Sequence, residues 1–136
     1  MACRKSVDYI RVLDSAKAFA DMYGDCKINP EIPFDAVEGR RKIYPNLPED
    51  SYRNPDLTTI FGYVDVKSPK KQMNSCGLAN DASDKQKSYV CITDHRTKIS
   101  EKQIQDRTND IWNSKLYHHD IVFWFVKGEL IKYKRP

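Results

Sequence analysis

The chain has 136 residues, 40% of them hydrophobic and 31% charged, with a formal net charge of +4. This length predicts one domain over residues 1–136 with a core of its own, and the balance of apolar and charged residues is that of a soluble globular protein. No run of about 18 apolar residues occurs, which excludes a membrane-spanning helix, and Asp8 and Arg11 interrupt the only apolar stretch near the start that could serve as an export signal. The expected site of action is the cytoplasm, reached directly or by delivery into a target cell as part of a larger secreted protein.

In chain order, Ser6 can cap a helix. Val7, Ile10, Leu13, Ala16, Phe19, Ala20 and Tyr23 then recur at helical spacing, and Gly24 supplies the stop. An extended piece is expected around Cys26-Lys27-Ile28. Residues 32–53, broken by Gly39, Pro45 and Pro48, read as a surface excursion with one helical turn.

Asn54 to Pro69 read as a β-hairpin. With Phe61-Gly62 as a two-residue turn, Asp56 lies opposite Lys67 and Thr58 opposite Asp65. Residues two apart share a face, so Asp56, Asp65 and Lys67 all project from one side. A slip of one residue would throw Asp56 to the other side, and a bulged or wider turn is the alternative, because Phe suits the first turn position poorly.

Ser68-Pro69 can open a helix with Pro at its first position, carried on by Met73, Cys76, Ala79 and Ala82. Ser88 to Thr93 read as a buried strand. Strand, helix and strand in succession predict a crossover, with the two strands parallel in one sheet. Ser100-Glu101-Lys102-Gln103 is a capping box for a further helix, with Ile104, Ile111 and Trp112 inward and an end near Leu116. The apolar run Asp120–Val126 predicts a central strand with Trp124 in the core rather than stacking on a base. A Lys127-Gly128 turn and a strand over Glu129–Tyr133 follow.

Cys3, Cys26, Cys76 and Cys91 contain no C-x-x-C pair. Adjacent His118 and His119 would point to opposite sides of a strand, so free and mostly buried thiols are expected rather than a structural zinc site or disulfides. Positive charge gathers at Lys67, Lys70 and Lys71 and again at Lys127, Lys132, Lys134 and Arg135, either as a solvated surface or as a footprint for a polyanion.

Two acids on neighbouring strands can hold a hard divalent cation, and a nearby ammonium can orient water or offset charge on a phosphorane. Asp56 and Asp65 fit the first role and Lys67 the second. A plain surface hairpin would carry the same residues, with Asp65 and Lys67 as a weak ion pair and Asp56 as a turn residue.

Pro55, Asp56, Asp65 and Lys67 match the signature of the PD-(D/E)xK nuclease superfamily, and the order helix, hairpin, helix, strand resembles that family's αβββαβ core. Asn54-Pro55-Asp56, Asp65 to Pro69, the segment from Ala79-Asn80 to Lys85-Gln86 and Lys127-Gly128-Glu129 also resemble the C-terminal tRNase domains of contact-dependent growth-inhibition and related polymorphic toxins. The resemblance implies an α/β fold with a mixed sheet, an added helix and a C-terminal β-hairpin. It implies a metal-dependent endonuclease acting on tRNA, with DNA left open as the substrate. Asp56 and Asp65 would bind the metal, expected to be Mg²⁺ with Mn²⁺ or Zn²⁺ as alternatives, and Lys67 would assist catalysis. Gln86 or Lys85 would line the site, Lys70, Lys71 and Lys85 would contact nucleic acid, and an acid of the first helix, Asp14 or Asp21, would complete the metal site. A cognate immunity protein would be the protein partner. Against this stand a catalytically inactive nuclease-like interaction module and an immunity or adaptor protein, neither of which needs clustered acids.

Overall fold

The run Ile121–Val126 is buried at every position, and the sheet is built outward from it. A computed structural model describes residues 6–30, 36–45 and 54–136. The strands are β1 (Lys27–Ile28), β2 (Leu57–Thr59), β3 (Gly62–Lys67), β4 (Tyr89–Thr93), β5 (Ile121–Val126) and β6 (Glu129–Lys134), and the helices are α1 (Ser6–Tyr23), α2 (Val37–Ile43), α3 (Ser75–Gln86) and α4 (Glu101–Asn113). The six strands form one sheet in sequence order. The two crossovers, through α3 and α4, make β3, β4 and β5 parallel, and the other neighbours are antiparallel. The mixed α/β class and the parallel β3–β4 pair are those expected.

Both faces of the sheet are covered. Val12, Ala16 and Phe19 of α1 pack on Leu57, Val64, Val66, Cys91, Phe123 and Phe125. Ala79 and Ala82 of α3 and Ile104 and Ile111 of α4 pack on Val90, Ile92, Val122 and Trp124 across the other face. Alternation along β3 therefore puts Val64 and Val66 under α1, and Asp65 and Lys67 on the side of α3. This alternation gives the site its face.

Several local expectations are corrected. The buried stripe of α1 is Val12, Ser15, Ala16 and Phe19, while Ile10 is 51% exposed and Ala20 faces solvent. The stripe is rotated because polar Arg11 and Ser15 turn toward β3 and β4 rather than toward water. Ser68-Pro69 does not open a helix. A 3₁₀ turn over Gln72–Asn74 leads into α3, and Met73 is 72% exposed. α3 closes at Lys87, which takes the left-handed conformation (φ 50°) and donates its N–H to Ala82 O.

α2 is longer than the single turn expected, α4 stops at Asn113 short of Leu116, and of the described cysteines only Cys91 is fully buried. Arg135 does not belong to a solvated basic surface. Its guanidinium donates to the carbonyls of Trp112, Tyr117 and His119, each at 2.9 Å, and lies over the Trp112 ring. The side chains of Ser6 and Val7, together with Cys3 and parts of the 32–53 excursion, lie outside the described residues.

Gly24 ends α1 with φ +93°, as expected. The Ser100–Gln103 capping box is formed in both directions. Trp124 is a core residue, and its indole N–H donates to Thr108 Oγ1 at 2.9 Å. Among the described residues no helix is long and apolar enough to cross a membrane.

Two predictions follow from the core. Thr108→Val leaves the Trp124 N–H buried without an acceptor, which should cost about 1–3 kcal/mol and appear as a lower urea midpoint at unchanged m-value. Burial pushes the Cys91 thiol from an ordinary 9.0 up to about 12, with the Asp56 charge adding to the rise and the Ser15 hydroxyl opposing it. A group whose folded value is raised contributes stability that is complete below 9.0 and is lost as the pH climbs toward about 12. The urea midpoint should therefore fall on passing from neutral pH to about pH 10, and fall less in Cys91→Ala; equal falls in both proteins would count against this assignment.

Candidate active site

The hairpin register is Leu57↔Val64, Thr58↔Tyr63 and Thr59↔Gly62, so the turn residues are Ile60 and Phe61. The expected pairing is corrected by two positions. Gly62 takes φ +117°, so its conformational freedom is needed just after the turn instead of inside it. Thr59 reinforces this turn, its hydroxyl accepting from Phe61 N–H and donating to Gly62 O, both at 3.1 Å. A shift of two is even, so no side chain changes face. Continued one step, the register sets Asp56 opposite Asp65, rather than opposite Lys67.

Asp56 and Asp65 are both buried, at 6% and 4% exposure. Val66 N–H donates to Asp56 Oδ2 at 2.8 Å. Asp65 Oδ2 receives two donors: Lys67 Nζ at 2.8 Å and Gln86 Nε2 at 2.9 Å. The ammonium reaches back two residues along its own strand, and the amide comes from the last residue of α3. Both contacts fall on one oxygen. Asp65, Lys67 and Gln86 are thus in direct contact, and Asp56 lies across the hairpin with its Oδ2 on the Val66 N–H.

The remaining candidates are placed differently. Lys85, paired with Asp81 at 3.3 Å on the exposed side of α3, does not line the site, so Gln86 takes that position. Lys70 and Lys71 are exposed on the segment that leaves β3. Neither first-helix acid joins the hairpin acids. Asp14 Oδ2 lies 3.4 Å from His95 Nε2, and Asp21 sits with Ala18 and Met22 beside Gly128, Glu129 and Leu130.

Arg11 reaches the site from α1, donating from Nη1 to the Val66 carbonyl. Sequence reasoning passed over it, and the only signal was its place four residues before Ser15, which donates to the Arg11 carbonyl.

Among the described residues no group of three or more His, Cys, Asp or Glu gathers at one point. The acids near the hairpin are the two buried carboxylates of Asp56 and Asp65, an all-oxygen set. Such a set fits Mg²⁺ or Mn²⁺, which complete their shells with water and phosphate oxygens, better than Zn²⁺.

No protein-family model matches the chain, and no curated protein matches it. Among solved structures the chain is similar to one in a complex described as the CdiA-CT/CdiI toxin and immunity complex from Burkholderia pseudomallei, with a TM-score of 0.63 and 18% identity, covering 98% of this chain and 92% of that chain. At that identity the likeness establishes the fold, with its mixed sheet and helices on both faces.

Proposed function

We propose that this chain is a metal-dependent endonuclease of the PD-(D/E)xK type, acting as a toxin effector domain that cleaves tRNA and is blocked by a cognate immunity protein. The observation that carries the reading is the meeting of Asp65, Lys67 and Gln86 on one carboxylate oxygen, with Asp56 opposite. The fold likeness to a chain from a toxin and immunity complex supports the effector role and the immunity partner.

In this reading Asp56 and Asp65 would hold a divalent ion, which would supply a more acidic bound water and offset charge on the phosphate. Like charge on two buried carboxylates is costly, and a bound cation would offset that cost. Lys67 is held in place by its bond to Asp65, so its ammonium is pre-oriented to offset charge growing on the phosphate oxygens. Gln86 fixes the rotation of the Asp65 carboxylate, as outer-shell partners of metal ligands do. Lys70 and Lys71 supply sequence-independent attraction to the backbone phosphates beyond the site. Site of action in the target-cell cytoplasm follows from the same reading.

With total tRNA as substrate, Asp65→Ala and Lys67→Ala should each lower cleavage by about 10³-fold, the scale of a lost electrostatic or proton-transfer group, and EDTA should abolish wild-type cleavage. Cleavage that survives in both variants and in EDTA would remove the site. Gln86→Ala should weaken Mn²⁺ binding by about 10- to 100-fold, read by calorimetry.

A further inference from the structure

The short helix α2 is fastened to the hairpin through the residue that follows it, Tyr44, which is buried. The Tyr44 hydroxyl donates to the Pro30 carbonyl at 2.8 Å and lies 3.5 Å from the Pro55 carbonyl, the peptide oxygen just before Asp56. The Tyr44 ring meets the Tyr63 ring edge-on, with centroids 5.6 Å apart and planes at 74°. The Tyr63 hydroxyl donates to the Ile43 carbonyl at 3.4 Å. Tyr63 precedes Asp65 by two residues on β3, so its side chain takes the same face of the sheet as Asp65 and Lys67. The end of α2 is therefore tied to the start of β2 beside Asp56, and to β3 on the face that carries the site.

The sequence Arg40-Arg41-Lys42 puts three cations in a row on this helix, against one acid, Glu38. Arg41 and Lys42 are exposed, and they stand three and two residues before the Tyr44 anchor. At the other end of β3, Lys70 and Lys71 are exposed on the segment that follows Lys67. From Tyr63 to Lys67 the strand advances about 13 Å, at about 3.3 Å per residue. Over that length one nucleic-acid strand presents about four phosphates. Exposed cations thus stand at both ends of the row Tyr63, Asp65 and Lys67. A helix that is merely well solvated would carry the same charges. What sets α2 apart is its buried anchor beside Asp56 and on the face of Asp65.

We propose that Arg41 and Lys42 form a phosphate-binding arm that holds the RNA backbone on the α2 side of the Asp56–Asp65–Lys67 site; this rests on the nuclease reading above, which supplies the nucleic acid. The Arg41 guanidinium can take a phosphate through two parallel N–H bonds, and the Lys42 ammonium acts as a point charge. Such contacts add affinity and fix the register of the backbone, and they carry no base sequence information. With Tyr44 already seated, little ordering of the helix remains to be done when RNA binds. The arm touches phosphates that flank the scissile bond, so it acts on binding and leaves the bond-breaking step to the hairpin residues.

Equilibrium binding of a fluorescently labelled tRNA in EDTA, followed by anisotropy across a KCl series, tests the arm separately from cleavage. Arg41→Gln and Lys42→Gln should each weaken binding by about 5- to 8-fold at about 0.1 M KCl. The slope of log K against log[KCl] should become shallower by about 0.7–0.9 in each, the share of one phosphate contact. Arg41→Lys keeps the charge and should recover most of the loss. Lys17→Gln, exposed on α1 across the sheet, removes the same net charge and should bind as wild type does. In cleavage with Mg²⁺, the two arm variants should raise KM and leave kcat near that of wild type. If both arm variants bind as wild type does, or if Lys17→Gln loses as much as they do, α2 is not a phosphate contact and the nuclease reading stands. A wild type that does not bind tRNA overturns the arm as well. A wild type that binds tRNA and does not cleave it removes the nuclease reading, while the salt series still decides the arm.

Discussion

The peptide group of Val66 is the point on which the site depends. It lies where the β2–β3 ladder stops, because the residue that would face it next is Pro55, which has no N–H to give. The Pro55 carbonyl accepts from the Asn29 side-chain amide. The backbone groups of Val66 must then be satisfied by side chains, since a buried backbone donor without an acceptor costs about 1–3 kcal/mol. Asp56 takes the N–H and Arg11 fills the carbonyl. An acid and a guanidinium are thereby gathered at the end of β3 by the ordinary demand for hydrogen bonds, before any ligand is considered.

A second constraint acts one residue earlier. Asp65 lies under the edge of α3, and a buried charge is tolerated there only if it is well paired. Lys67 and Gln86 provide this from opposite directions, one along the strand and one from a helix end. The left-handed Lys87 stops α3 just after Gln86, so the helix ends where its last amide can reach the carboxylate. The rigidity of the constellation comes from strand pairing and helix termination more than from the surrounding loops, which suits a site whose geometry must be set in advance.

Much of this was legible in the sequence. The side-chain period of a strand is two, so Asp65 and Lys67 had to share a face, and the apolar run at β5 had to be buried. The capping box at Ser100 named its helix start without reference to anything distant. Pairing across the hairpin was harder to read, because it depends on how the turn closes: the Thr59 hydroxyl and the positive φ of Gly62 select the Ile60-Phe61 turn, and neither announces itself in a pattern of apolar residues. The buried stripe of α1 was misread for a related reason. Arg11 and Ser15 look like solvent-facing residues until β3 and β4 are brought beneath them. The pairing of Asp14 with His95 joins residues far apart in the chain, and local spacing carries no trace of it.

The hairpin turn also acts as a ruler for sequence change. The face carrying the acids is conserved by parity alone, so a turn lengthened or shortened by two residues would slide Asp56 along β3 while keeping it on the side of Asp65. A change of one residue would turn it away toward α1. Insertions and deletions in this loop should therefore accumulate in even steps among functional descendants of such a chain, while Phe61 stays tied to the core through Tyr23, Tyr89 and Phe123.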